Sequence, residues 1–160
     1  MNGQTILNGM PIGKSKMKTS DLARTKVVVE FPSDFETLPF ADYKDVPRKS
    51  GIYIIWQGDI CIYVGFSKSD MRARFAPHHY LKAYGLAEES ASTTDPVGWK
   101  KARENSWWNP EEFTIEYKVI REECADKWNF SEGGKRRLEG VLLLLEQIAI
   151  ANLKPLANTQ

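Results

Sequence analysis

Only two cysteines and two histidines occur among the 160 residues, and each scarcity excludes something. Cys61 and Cys124 cannot build a disulfide framework, and no paired His or Cys spacing suggests a zinc cage. Cys61 falls among strand-forming residues and reads as a small core side chain. Charge of one sign is missing too. The formal net charge is +1, so no global basic excess announces a nucleic-acid ligand, and any polyanion site must come from local clustering. Long apolar runs are also absent. The stretch from Val141 to Leu153 is broken by Glu146, Gln147 and Asn152, too short and too polar for a bilayer core of ~30 Å. The N-terminus lacks the apolar region of a signal peptide. The expectation is a cytoplasmic protein with no membrane partner.

What is present fits one domain with a short appendage. Residues 1–47 read as an N-terminal arm and connecting segment. The first 26 or so are polar and loosely packed. Lys26 to Phe31 could form an edge strand, and the proline-rich stretch after it a turn of helix at Asp34 to Leu38. Residues 48–160 then read as a compact domain with an insertion at about 87–110. Its first element is a β-hairpin. Gly51-Ile52-Tyr53-Ile54-Ile55-Trp56 and Ile60-Cys61-Ile62-Tyr63-Val64-Gly65 are β-branched or aromatic, and Gln57-Gly58-Asp59 separates them. If Tyr53 and Tyr63 lie directly cross-strand on one face, the pairing centres on Gly58 and requires an odd loop such as 57–59. A two-residue turn at Gly58-Asp59 would send them to opposite faces.

Ser69 or Asp70 can cap a helix carrying Arg72 and Arg74. Arg74 and His78 are four apart and share a face on an unbroken helix. Pro77 opposes that, because proline clashes with the carbonyl four residues back, so the helix kinks or restarts there. A third strand, Phe113 to Ile120, alternates well. The final helix runs from about Glu132 or Lys135 to Leu153, is apolar over most of its circumference and should be central, and stops at Pro155. Glu146 stands inside it. A carboxylate there is costly to bury alone, so it pairs with an arginine, lies on a narrow solvent stripe or serves chemistry.

This series resembles the GIY-YIG nuclease family. The triplets are Gly51-Ile52-Tyr53 and Tyr63-Val64-Gly65 with nine residues (54–62) between them, followed in order by Arg74, His78, Glu146 and Asn158. The resemblance covers about residues 48–160 and implies an α+β fold with a small three-stranded, mainly antiparallel sheet flanked by helices. It implies a DNA endonuclease without a small-molecule cofactor, with Glu146 as the ligand of one Mg²⁺ or Mn²⁺ ion. The implied catalytic set is Tyr53, Tyr63, Arg74, His78, Glu146 and Asn158. Tyr53 would orient or deprotonate the attacking water, which needs nearby cations or a proton acceptor such as His78, because a free phenol has a pKa of about 10.

Of the basic residues, Lys68, Arg72, Lys100, Lys101 and Arg103 are candidate DNA contacts, with a solvated face as the competing reading. Trp99, Trp107 and Trp108 beside them could stack on bases but are better read as packing. His79 carries no assignment. Two other functions stay open: a catalytically inactive nucleic-acid-binding module on the same scaffold, and a structural domain in which Tyr53, Tyr63 and Glu146 are all core. Substrate specificity would have to come from the arm, the insertion or homodimerisation.

Overall fold

The computed structural model describes residues 5–6, 26–27, 31–86, 96–121 and 134–158. Most of the arm expected at the N-terminus lies outside them, as does the middle of the strand expected at Lys26 to Phe31. What is described there is a small antiparallel pair, β1 (Thr5–Ile6) with β2 (Lys26–Val27), separate from the main sheet.

The main sheet is antiparallel and has four strands, not the expected three. They are β3 (Glu36–Pro39), β4 (Gly51–Gln57), β5 (Ile60–Ser67) and β6 (Phe113–Val119), in the order β3-β6-β4-β5. The extra strand comes from the segment expected to hold a turn of helix. Glu36 to Pro39 pairs with Thr114 to Tyr117, and Pro39 stands at the sheet's edge, where a missing N–H is tolerated. Residues 36–47 therefore belong to the same body as the rest: Phe40 and Val46, in and just after a short 3₁₀ segment (Phe40–Asp45), are buried in its core.

Strand β4 lies between β5 and β6 and is covered on both faces, which is why it reads as a continuous apolar run. Its alternation sends Tyr53 and Ile55 to one face and Ile52 and Ile54 to the other, and each face has its own core. The Tyr53 face, to which Phe113 of β6 also contributes, packs under Met71, Phe75 and Trp99.

The Ile52 face packs under the last helix, Gly134–Leu153, through Leu138, Val141, Leu142, Leu145 and Ala149, a stripe at helical spacing. That helix is not central. Leu143 is 48 % exposed on its outer side, and Glu139, Gln147 and Ala151 share the solvent stripe.

The hairpin departs from both alternatives posed by its sequence. Its turn is the two-residue Gly58-Asp59, with Gly58 at φ +57° and Gln57 opposite Ile60. Continued without interruption, that register would put the two tyrosines on opposite faces. A β-bulge intervenes. Trp56 pairs with Cys61, but Ile55 pairs with Tyr63, so Ile62 is the extra residue. Ile62 and Tyr63, adjacent in sequence, therefore both join the Tyr53 face, while Cys61 and Val64 join the other. The tyrosines share a face as a diagonal pair, with Gly65 directly across from Tyr53.

Candidate functional site

Gly65 explains how the two phenols approach. A Cβ added there would lie 2.5 Å from Tyr53 Oη and 2.8 Å from a ring carbon of Tyr63. The Tyr53 ring occupies the space a side chain at 65 would need, and the two phenol rings stack 6.3 Å apart.

After β5 the chain turns into helix. The Ser67 hydroxyl accepts from the Asp70 N–H at 2.9 Å, and the Asp70 carboxylate accepts from the Ala73 N–H at 3.1 Å, so Asp70 caps as expected. The helical run comprises α1 (Arg72–Arg74), a π-turn (Phe75–His79) and α2 (Tyr80–Ala83). Pro77 neither breaks the run nor starts a new helix. Proline cannot donate to the carbonyl four residues back, and the wider turn is how the chain continues past it.

The π-turn delays the following residues by about one position. His79, not His78, is the histidine that turns inward. Its Nε2 lies 2.7 Å from Tyr53 Oη in a buried hydrogen bond, and its ring packs on Tyr63 and Trp99. His78 is half-buried and lines the pocket above.

That pocket has a volume of ≈ 270 Å³ and is open to solvent. Tyr53 and Tyr63 form its floor with His79. Arg74, His78 and Lys82 come from the helical run, and Glu146 and Phe66 come from the other side of the sheet. The two layers can meet here because β5 is an edge strand. Five of the six expected catalytic residues thus line one pocket.

The sixth, Asn158, does not line it. Its side chain accepts from the Val64 N–H and donates to the Val64 carbonyl, both at 2.8 Å, pinning the C-terminal tail to the edge of β5. The backbone N–H groups of Leu156 and Ala157 continue that pairing to Cys61 and Ile62.

The candidate DNA-contacting cations lie apart from the pocket. Arg72 Nε donates to the Val46 carbonyl at 2.7 Å, and Lys68 sits 3.5 Å from Glu139. Lys100, Lys101 and Arg103 lie on α3 (Val97–Arg103), where Arg103 Nη1 donates to the Lys82 carbonyl at 2.6 Å. Trp99 is buried core, as the packing reading holds. Sequence reasoning left three pocket residues without a role, Phe66, His79 and Lys82. Pro77 is the signal that could have shifted attention from His78 to His79.

The electrostatics follow from burial. Tyr53 is held well above the usual phenol range, first by desolvation and then by Tyr63, with Arg74 opposing. Tyr63 is raised by desolvation and by Glu146, again with Arg74 opposing. Glu146 is raised by desolvation, against a hydrogen bond from Gln147 and the charge of Arg74. His79 is held well below the ordinary imidazole value by desolvation, then by Lys82, His78 and Arg74, and is therefore neutral.

A neutral buried histidine has a stability consequence. Because its folded pKa is depressed, the unfolded chain binds the extra proton first, and stability falls as pH drops below the free imidazole value of about 6.5. Unfolding midpoints should fall between about pH 7 and pH 5, by up to about 1.4 kcal/mol per pH unit for this group. The slope should shrink in His79→Gln; a parent protein equally stable across that window would contradict the neutral assignment.

Among the described residues, no three His, Cys, Asp or Glu side chains gather as a metal cage. One carboxylate, half-buried and facing an open pocket, is nonetheless the donor set Mg²⁺ accepts when water and a phosphate oxygen complete its shell. Glu146 fits that description. No helix among the described residues is long and apolar enough to cross a membrane. No protein-family model matches the chain, and no curated protein is significantly similar to it.

Proposed function

We propose that this chain is a GIY-YIG-type endonuclease that hydrolyses DNA phosphodiester bonds with a divalent metal ion. One observation carries the reading: two phenols, a guanidinium, two imidazoles and a carboxylate, drawn from both sides of the sheet, line one solvent-open pocket. A purely structural role would not require a half-buried carboxylate and an exposed arginine to face the same space.

Hydrolysis needs an oriented water, neutralised phosphate charge and a stabilised leaving oxygen. Arg74 would hold the phosphate with its planar fork. The Tyr53 hydroxyl would orient the water and accept its proton while passing its own to His79 Nε2, already in hydrogen-bonding distance at 2.7 Å. Burial opposes that transfer in the resting pocket, raising Tyr53 and lowering His79. Part of the opposition to His79 comes from Lys82 and Arg74, and phosphate negative charge would offset both cations. Substrate binding thus makes His79 a better base when one is needed. Tyr63, stacked on Tyr53 and tilted against His79, would hold the pair in place. A divalent ion held by Glu146 would supply charge compensation at the leaving 3′ oxygen.

The test is cleavage of supercoiled and branched DNA by purified protein with Mg²⁺ or Mn²⁺. Nicked or linear product that disappears on addition of chelator is the expected result. Intact DNA with both metals across these substrates would overturn the reading. One observation favours the binding-only alternative, namely that Tyr53 is only 1 % exposed. That alternative predicts salt-sensitive DNA binding with no metal-dependent product.

A further inference from the structure

Arg74, His78 and Lys82 recur at four-residue intervals along the helical run, which forms one wall of the pocket that Glu146 of the last helix also lines. At helical rise the first and last are at most about 12 Å apart along the axis. A DNA strand presents one phosphate every ~3.4 Å of its axis, so this wall matches a short run of phosphates and not a single one. We propose that Lys82 is a second phosphate-binding cation, gripping the backbone beside the phosphate held at Arg74, and that Arg103 is its positioning residue.

The second half of this proposal comes from the way the helical run ends. The last carbonyls of a helix lack intrahelical partners. Here the Lys82 carbonyl accepts from the Gly85 N–H at 3.2 Å and additionally from Arg103 Nη1 at 2.6 Å, and the Ala83 carbonyl accepts from Trp108 Nε1 at 2.9 Å. Both side-chain donors come from the segment that reads in sequence as an insertion. Its described part thus clamps the turn from which Lys82 enters the pocket. The ammonium acts within the pocket as well. After desolvation, Lys82 is the next cause depressing both His78 and His79, so its charge lies close to the imidazoles. On this arrangement Arg103 would serve DNA through Lys82, without touching it.

The proposal rests on the DNA-processing reading of this pocket, and its test separates the two. Binding of the full chain to a short DNA duplex is measured in chelator over a range of salt. The parent should bind with a salt-dependent affinity. Lys82→Met should weaken binding several-fold and reduce the slope of log affinity against log salt by about 1, whereas Lys82→Arg should keep the parental slope. Arg103→Met should also weaken binding, and adding it to Lys82→Met should cause no further loss, because the two act on one contact. A parental slope in Lys82→Met overturns the proposal while leaving the nuclease reading intact if metal-dependent cleavage is present. Additive losses overturn the positioning role of Arg103. A parent that neither binds nor cuts DNA overturns both readings.

Discussion

Replacing Glu146 by glutamine should abolish metal-dependent DNA cleavage while leaving a protein as stable as the parent or more so. The two effects have separate causes. Loss of the carboxylate removes the one acidic side chain among the described residues that line the pocket, and on the proposed reading several kcal/mol of transition-state charge stabilisation would go with it. At about 1.4 kcal/mol per decade, about 4 kcal/mol corresponds to about a 10³-fold fall in rate. Stability moves the other way because desolvation raises the carboxyl above its ordinary range. A raised acid pKa means that the ionised group costs stability at neutral pH, a cost that disappears below its unfolded value. The neutral amide avoids that cost. Single-turnover cleavage and thermal unfolding of the same preparation measure both. A Glu146→Gln protein that cuts at the parental rate would remove the metal role of this residue. One that unfolds markedly earlier would indicate that the carboxylate is a structural partner.

Gly65→Ala should damage both the stability and the candidate site of the tyrosine-bearing hairpin through a single added methyl. The added carbon would lie 2.5 Å from Tyr53 Oη and 2.6 Å from the ring carbon that carries it, far inside van der Waals contact. Neither neighbour yields easily. Tyr53 is wedged against Phe75 at 4.7 Å between ring centres and tied to His79, and Gly65 lies within a paired strand. Overpacking of this kind costs roughly 1–3 kcal/mol, and a displacement of the phenol by about 1 Å can cost about 10²-fold in rate. Denaturant midpoints and cleavage rates should both fall. Serine should be no better, since it too carries a Cβ. A Gly65→Ala protein with parental stability and rate would show that the ring has room to move, and the close approach of the two strands would lose its meaning.

Parts of this molecule are legible without coordinates. The apolar run of β4, the alternation of β6 and the helix stop before Pro155 all follow from local chemistry, and the structure has them. Other elements were decided by long-range pairing. Glu36 to Pro39 has acidic and proline residues that locally favour a turn, yet it is a strand because the free edge of β6 offers hydrogen bonds to it. The last helix reads as apolar nearly all round. Leu143 is exposed because one face of a sheet covers only one stripe of a helix.

The candidate site divides in the same way. Tyr53, Tyr63, Arg74, His78 and Glu146 are nominated by their order in the chain, through its resemblance to the GIY-YIG series, and not by composition or periodicity. Which atoms face one another is not a local property. A bulge at Ile62 restores the shared tyrosine face that the two-residue turn would have denied, and a π-turn exchanges His78 for His79 as the partner of Tyr53. Each is a one-residue shift of register. Such shifts cost little within the segment where they occur and are chosen by what packs against it. The chain's own pattern determined the strands, the helices and the chemical groups at hand. Only the tertiary structure decided which of those groups meet, because burial of both sheet faces selects among registers that are nearly equal in local energy.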